Sequence, residues 1–139
     1  MRRITGVVRT GAAIAAGMVL LAGCSSGGGP SDSPEAAAEE WLQAFGGGDT
    51  PAACLHTATG GQPNTEDSAG HRECVAFLNR YASEEYEPFT EAKVVGSQST
   101  GEGKAMVTMK EVEVVGATWG EIYLVQLEDG WYVDTSEWY

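Results

Sequence analysis

The sequence predicts an α+β domain in which two or three N-terminal helices pack on a curved meander of four antiparallel strands. Up to Ala82, apolar side chains recur every three or four positions, which is the period of one helix face. After Pro88, apolar and polar side chains alternate, which is the period of a half-buried strand. Helices that precede the strands, instead of alternating with them, are typical of α+β domains.

The composition limits the size of the domain and the class of its partners. The chain has 139 residues, of which 42% are apolar, so it has room for one domain with a small core. It carries 20 acidic against 8 basic side chains, and its net charge is −12. Because nucleic acids are bound through basic surfaces, we expect no nucleic-acid partner.

Residues 1–23 have the pattern of an export signal. Arg2, Arg3 and Arg9 give a positive start, and an apolar stretch covers residues 12–21. As a helix, this stretch would be about 15 Å long, which is half of the hydrocarbon layer of a bilayer. It is too short for a permanent membrane span and is typical of a signal peptide.

The signal ends in Leu21-Ala22-Gly23-Cys24, and a run of serine and glycine follows. These four residues resemble the lipobox of bacterial lipoproteins. The resemblance implies that the Cys24 thiol receives a diacylglyceryl group and that cleavage before Cys24 makes it the mature N-terminus. The alternative is an ordinary secretory signal, cut near Ala22 or Gly23, which leaves Cys24 as a free thiol.

Residues 24–33 then form a lipidated cysteine with a flexible linker, and residues 34–139 form the folded domain. Cleavage removes three arginines, so the mature chain carries 5 basic and 20 acidic side chains, a net charge of −15. Anionic head groups repel a domain of this charge. We therefore expect a cell-envelope protein held at the extracytoplasmic side of the cell membrane by its lipid.

The first helix has the clearest signals. Ser33 is a good N-cap, and Pro34 is favoured in the first helical turn. Glycines 46–48 end the helix. The apolar residues between these limits share one face: Ala38, Trp41, Leu42 and Phe45.

Two more helices are predicted before the strands. The second runs from Pro51 to about Ala58, and the third from Thr65 or Ser68 to Ala82, with a polar loop over residues 60–70 between them. The acidic residues 84–87 predict a solvated helix end.

Turn-rich segments separate the four predicted strands. Asp129-Gly130 indicates a two-residue hairpin turn before the last strand. A β-bulge is expected near Met109–Glu111, because strict alternation would place glutamates on the apolar face there. The predicted strands are Glu91–Ser97, Lys104–Val115, Glu121–Glu128 and Trp131–Trp138.

Over residues 34–135 the chain resembles the nuclear transport factor 2-like (cystatin-like cone) domains of actinobacterial lipoproteins. The resemblance is carried by Pro34–Ala38 leading to Trp41-Leu42, by a pair of cysteines, and by the closing residues 128–134. It implies a cone-like domain in which the helices cover the concave face of the sheet.

Cys54 and Cys74 are predicted to form a disulfide. They are the remaining pair if Cys24 is acylated, and exported proteins fold under oxidising conditions. The alternative is a four-ligand zinc site that adds His56 and His71. The spacing of these four residues fits no standard zinc module.

The sequence favours a non-catalytic role in binding a small apolar ligand or an envelope protein. No cofactor is predicted, and the chain could form a homodimer. Trp119, between two glycines, and the terminal Trp138 and Tyr139 are hard to bury and form a candidate binding patch. The alternative is an isomerase- or dehydratase-like enzyme on the same scaffold. Its candidate residues would be Tyr81, Tyr123, Tyr132 and Asp134.

Overall fold

Helix α1, Pro34–Gly46, begins and ends where the sequence predicts. In the computed structural model, which describes residues 28–138, the Ser33 side chain accepts a hydrogen bond from the Ala36 backbone N–H at 3.1 Å. The predicted apolar face is buried, and Trp41 and Leu42 have no exposed surface. The helix is therefore fixed both by its cap and by burial of one face.

Helix α2 is shorter than predicted and spans Thr50–Cys54. Its predicted continuation to Ala58 is wrong, because strand β1, Thr57–Thr59, follows after two residues. The β1 backbone is drawn into the sheet, where Ala58 O accepts from Thr135 N at 3.0 Å. Sheet pairing thus overrides the local helical pattern.

The segment predicted as a polar loop contains strand β2, Gln62–Pro63, paired antiparallel with β1. Helix α3, Ala69–Asn79, follows, with the Ser68 side chain accepting from His71 N at 3.1 Å. It ends three residues before the predicted Ala82.

A 3₁₀ helix, Glu84–Glu91, replaces the predicted solvated helix end. Its glutamates face solvent, but Phe89 is fully buried against the core. Gly46 makes this close approach feasible, because a Cβ there would lie 2.8 Å from the Phe89 Cβ.

The structure confirms the α+β class, but the predicted four-stranded meander is wrong. A six-stranded sheet has the order β2-β1-β8-β7-β5-β4, and β3 pairs with β6 in a separate ribbon. All strand pairs are antiparallel except β1 with β8. The remaining strands are β3 Lys93–Val94, β4 Gln98–Gly101, β5 Lys104–Val107, β6 Val112–Glu113, β7 Ile122–Leu127 and β8 Gly130–Asp134.

One local interruption adds a strand, and β1, β2 and β4 form in segments where the sequence predicts helix, loop or turn. The predicted second strand is divided at Met109–Glu111, where a 3₁₀ turn takes the place of the expected bulge. The Glu111 carboxylate stabilises this turn by accepting from Thr108 N at 2.8 Å. The predicted hairpin is present, but Leu127 pairs with Gly130, so its turn residues are 128 and 129.

The described end of the predicted linker, residues 28–33, lies on the domain and is called the N-terminal strap below. Ser31 forms an antiparallel bridge with Trp131, with N···O distances of 3.1 and 2.9 Å. Gly29 N donates to Leu55 O at 2.9 Å, and Ser31 is 6% exposed. The strap thus pairs with the start of β8, on the same edge of that strand with which β1 pairs two residues later.

Gly130 provides the space for this strap. A Cβ at Gly130 would lie 2.7 Å from the Pro30 Cβ and 2.8 Å from the Ser31 carbonyl oxygen. Its φ of +143° also lies in a region that other residues rarely adopt.

The predicted disulfide between Cys54 and Cys74 is present and joins α2 to α3 across 20 residues. Both cysteines are fully buried. In the chain-entropy view, closing a loop of this length stabilises a fold by roughly 3 kcal/mol.

Gly130→Ala should lower the free energy of unfolding by about 1–3 kcal/mol, because the added methyl strains the backbone and displaces the strap. Urea unfolding followed by circular dichroism measures the change. The matched control is Gly120→Ala, since Gly120 has no atom within 4 Å of a Cβ and no positive φ. Equal stability of the two variants would contradict docking of the strap.

Candidate functional site: an aromatic cluster beneath Trp119

Eight aromatic side chains form one connected group between the helices and the chain's C-terminal end. They come from α1, from α3 and the residues after it, from the 3₁₀ helix, from the β6–β7 connection and from the C-terminus. We call them the aromatic cluster: Trp41, Phe45, Phe77, Tyr81, Tyr86, Phe89, Trp119 and Trp138.

The centre of the cluster is a stacked pair on α1. The rings of Trp41 and Phe45 are 5.6 Å apart and inclined by 7°. They are one helical turn apart in sequence, so the helix itself aligns them. Tyr86 continues the group, 5.0 Å from Phe45.

Trp119 lies edge-on across this centre. Its ring is 5.6 Å from Trp41, 5.1 Å from Phe45 and 5.5 Å from Tyr86, and the interplanar angles are 66–73°. It also reaches Tyr81 at 6.0 Å. Trp119 is itself only half-buried, so part of its side chain is exposed to solvent while part contacts the rings.

The segment that carries Trp119 has no regular structure. Residues 114–121, between β6 and β7, form neither helix nor strand. Gly116 within it has a φ of +96°. Trp119 is therefore positioned mainly by its ring contacts, and the backbone on either side is not tied into a strand.

Two residues of the predicted binding patch are brought together at the cluster. Trp119 and Trp138 both contact Trp41, the latter at 5.7 Å, and Trp138 also stacks on Phe77 at 5.2 Å. Tyr139, the third predicted residue, lies outside the described residues.

One polar atom inside the cluster has no partner. Trp41 is fully buried, and its indole Nε1 has no hydrogen-bond acceptor. An unsatisfied buried donor costs about 1–3 kcal/mol. Such groups are rare in folded proteins, and each one calls for a physical explanation.

Sequence reasoning missed two members of the cluster, Tyr86 and Phe89. Tyr86 lies within the acidic residues 84–87, whose charge predicts solvation, and Phe89 follows two residues after them. Their i, i+3 spacing was the available signal, because it places both rings on one side of a single helical turn.

The residues of the zinc alternative are used in other ways. Cys54 and Cys74 are joined to each other, so neither offers a thiolate. His71 Nε2 lies 3.0 Å from the Pro51 carbonyl oxygen, and His56 Nδ1 lies 3.4 Å from the Glu40 carboxylate. Within residues 28–138, no three metal-binding side chains are grouped.

His56 and Glu40 lie against the N-terminal strap. Glu40 also accepts a hydrogen bond from the Ser31 hydroxyl at 3.0 Å. Burial lowers the pKa of His56 below its ordinary value of 6.5, while the Glu40 charge and a hydrogen bond to the Gly29 backbone act in the opposite direction. The neutral imidazole is thus the form that the fold favours.

The four residues of the enzyme alternative have different neighbours. Tyr81 belongs to the aromatic cluster, 5.2 Å from Phe77. Tyr132 is buried and donates to Asp129 at 2.9 Å, and its burial raises the pKa of the hydroxyl to about 12.

The other two candidates, Tyr123 and Asp134, are paired with residues that are close to them in sequence. The Tyr123 hydroxyl is 3.4 Å from the Glu121 carboxylate, whose charge raises the pKa of Tyr123. Asp134 accepts from Ser136 N at 2.9 Å.

No protein-family model, curated protein or solved structure matches the chain. The predicted signal peptide, the lipobox residues and Cys24 lie outside the described residues. Within residues 28–138, no helix is both long enough and apolar enough to cross a bilayer. The resemblance to lipoproteins and to cone-type domains stays a prediction.

The stability of the fold should fall as the pH drops below about 6.5, because unfolding restores the ordinary pKa of His56. Between that value and the lower pKa in the fold, the unfolded chain binds more protons, so acid favours unfolding. Above the unfolded pKa the contribution of the neutral imidazole is complete. Urea unfolding at about pH 7.5 and about pH 5.5 measures the loss.

His56→Gln should lose less free energy of unfolding between these two pH values than the parent chain does, because glutamine does not titrate. Glu40→Gln is the companion variant, and it should increase the loss because it removes the charge that opposes the lowered pKa. An unchanged pH dependence in His56→Gln would show that other groups cause it.

Proposed function

We propose that this protein is a cell-envelope lipoprotein, anchored through Cys24, that binds a small apolar ligand without catalysis. The observation that carries the binding role is the half-buried Trp119 across the stacked rings of Trp41 and Phe45. In this proposal, Trp119 covers the other rings of the aromatic cluster when no ligand is bound. The ligand takes the place of its indole ring.

Apolar contact energies support an exchange of this kind. A tryptophan side chain contributes a large apolar surface, and moving it away would expose the rings beneath it to water. A ligand with a similar surface covers the same rings, so the exchange costs little hydrophobic energy. The irregular backbone at residues 114–121 can move without breaking strand hydrogen bonds.

We also propose that the helices and the sheet form the cone-type domain that the sequence resembles. In that arrangement, the aromatic cluster occupies the concave side of the sheet. The predicted core position of Trp41 and Phe45 on α1 supports this placement, since both are buried.

The strap supports a membrane-proximal role. Gly28 belongs to the strap that lies on the domain, and the chain from Cys24 to Gly28 is only four Cα–Cα steps long. Four residues span at most about 14 Å. The acidic domain would therefore be held close to the bilayer, where apolar molecules are concentrated, while its charge keeps it from lying on anionic head groups.

An envelope protein is the second candidate partner. Val115 is 91% exposed and Val95 is 61% exposed, and both lie beside the β3–β6 ribbon. Exposed aliphatic side chains of this kind favour a protein contact.

Cys24→Ser should move the protein from the membrane fraction to the soluble fraction, because the hydroxyl cannot carry the thioether-linked lipid. Fractionation of cells followed by immunoblotting measures the shift. Ser25→Ala is the matched control and should stay with the membrane. Membrane association of Cys24→Ser would contradict lipid anchoring.

Trp119→Ala should bind a bicyclic apolar probe, 2-isopropylnaphthalene, roughly tenfold more tightly than the parent chain, because no indole has to be displaced. Titrations use the soluble Cys24→Ser chain and follow the indole N–H signals by NMR. Val115→Ala is the control in the same segment and should leave the affinity unchanged.

Trp119→Leu serves as a second variant, since it retains more apolar cover if the alanine variant is poorly folded. The absence of saturable binding in the parent chain and in both variants would contradict the proposed function.

A further inference from the structure

We infer that the ligand of the aromatic cluster is a neutral molecule with an apolar body about the size of an indole and one hydrogen-bond acceptor, which binds Trp41 Nε1. This inference rests on the proposed function and specifies the chemistry of its ligand. It depends on the one buried donor of the cluster that lacks an acceptor.

The surroundings of Trp41 are aromatic. Its ring contacts are Phe45 at 5.6 Å, Trp119 at 5.6 Å and Trp138 at 5.7 Å. Ring faces offer an N–H group only a weak contact compared with an oxygen acceptor. The Trp41 N–H therefore has unused hydrogen-bonding capacity in a dry environment, where a new bond is strong.

Most other buried polar side chains among residues 28–138 are hydrogen-bonded, and the exception is His56 Nδ1, which lies 3.4 Å from the Glu40 carboxylate. Thr57 donates to Cys54 O at 2.6 Å, and Asn64 donates to Thr57 at 2.8 Å. Thr135 donates to Ala58 O at 3.2 Å. Trp41 Nε1 is thus one of two unpaired buried side-chain atoms among residues 28–138, and it is the one that lies in the aromatic cluster, as expected for a group that is paired by a ligand.

The size of the ligand follows from the ring it replaces. The side chain of Trp119 is a bicyclic ring, and a bicyclic body would restore its contacts with Trp41, Phe45 and Tyr86. The acceptor must be uncharged, because no lysine or arginine among residues 28–138 is buried to balance a buried anion. A ketone, ester or ether oxygen accepts a hydrogen bond and carries no charge, so it fulfils both conditions.

Two probes of nearly the same shape test the acceptor. In 2-acetylnaphthalene a carbonyl oxygen occupies the place of one methyl group of 2-isopropylnaphthalene. The affinity ratio of the two probes is measured in the Cys24→Ser chain and in the same chain with Trp41→Phe. We expect the ratio to favour the acetyl probe about tenfold more in the first chain than in the second.

The Trp41 indole proton gives a second measurement that needs no substitution at Trp41. Its NMR signal should move downfield with 2-acetylnaphthalene and not with 2-isopropylnaphthalene, because only the first probe accepts a hydrogen bond. This comparison holds even if Trp41→Phe is too unstable to study.

The outcomes separate this inference from the proposed function. If both probes bind saturably, their affinity ratio is the same in both chains and the Trp41 signal does not move downfield, the ligand has no acceptor that binds Trp41. The proposed binding of an apolar ligand would still be supported. Saturable binding of neither probe would overturn both. A ratio that depends on Trp41, with the selective shift, would support the inference.

Discussion

The stacking of Trp41 on Phe45 is the contact on which the rest of the structure depends. Both rings project from the buried face of α1, and the helical period keeps them aligned. Gly46, the next residue of the helix, lets the 3₁₀ segment approach closely enough for Phe89 to be buried. Trp119 and Trp138 then close over the Trp41 ring from two other parts of the chain.

The glutamates of α1 make contacts that are equally specific. Glu39 accepts from Val94 N at 2.9 Å and fixes the β3–β6 ribbon to the helix. Glu40 accepts from Ser31 and holds the N-terminal strap, while Glu35 accepts from Ser97. One helix thus organises the aromatic cluster through its apolar face and three separate segments through its carboxylates. This explains how a small acidic domain can use part of its excess charge inside the fold.

Sequence reasoning located what depends on local signals and missed what depends on distant partners. The bounds of α1 follow from Ser33, Pro34 and the apolar spacing, and the cysteine pair follows from the expected compartment. Strand β1 was missed because its pairing with β8 is parallel and far away in sequence. The covering position of Trp119 and the bare Trp41 donor depend on packing between segments, and composition and spacing carry no information on such packing.

In the proposed function, Trp119 is a displaceable cover over the buried N–H donor of Trp41. Hydrogen exchange of the Trp41 indole N–H, followed by NMR in increasing low concentrations of urea, tests it most directly. If Trp119 moves away locally, this proton exchanges at a rate that is nearly independent of urea, because little surface is exposed. If it exchanges only with global unfolding, its rate will rise with urea as steeply as that of the slowest core amides. That result would contradict a displaceable Trp119.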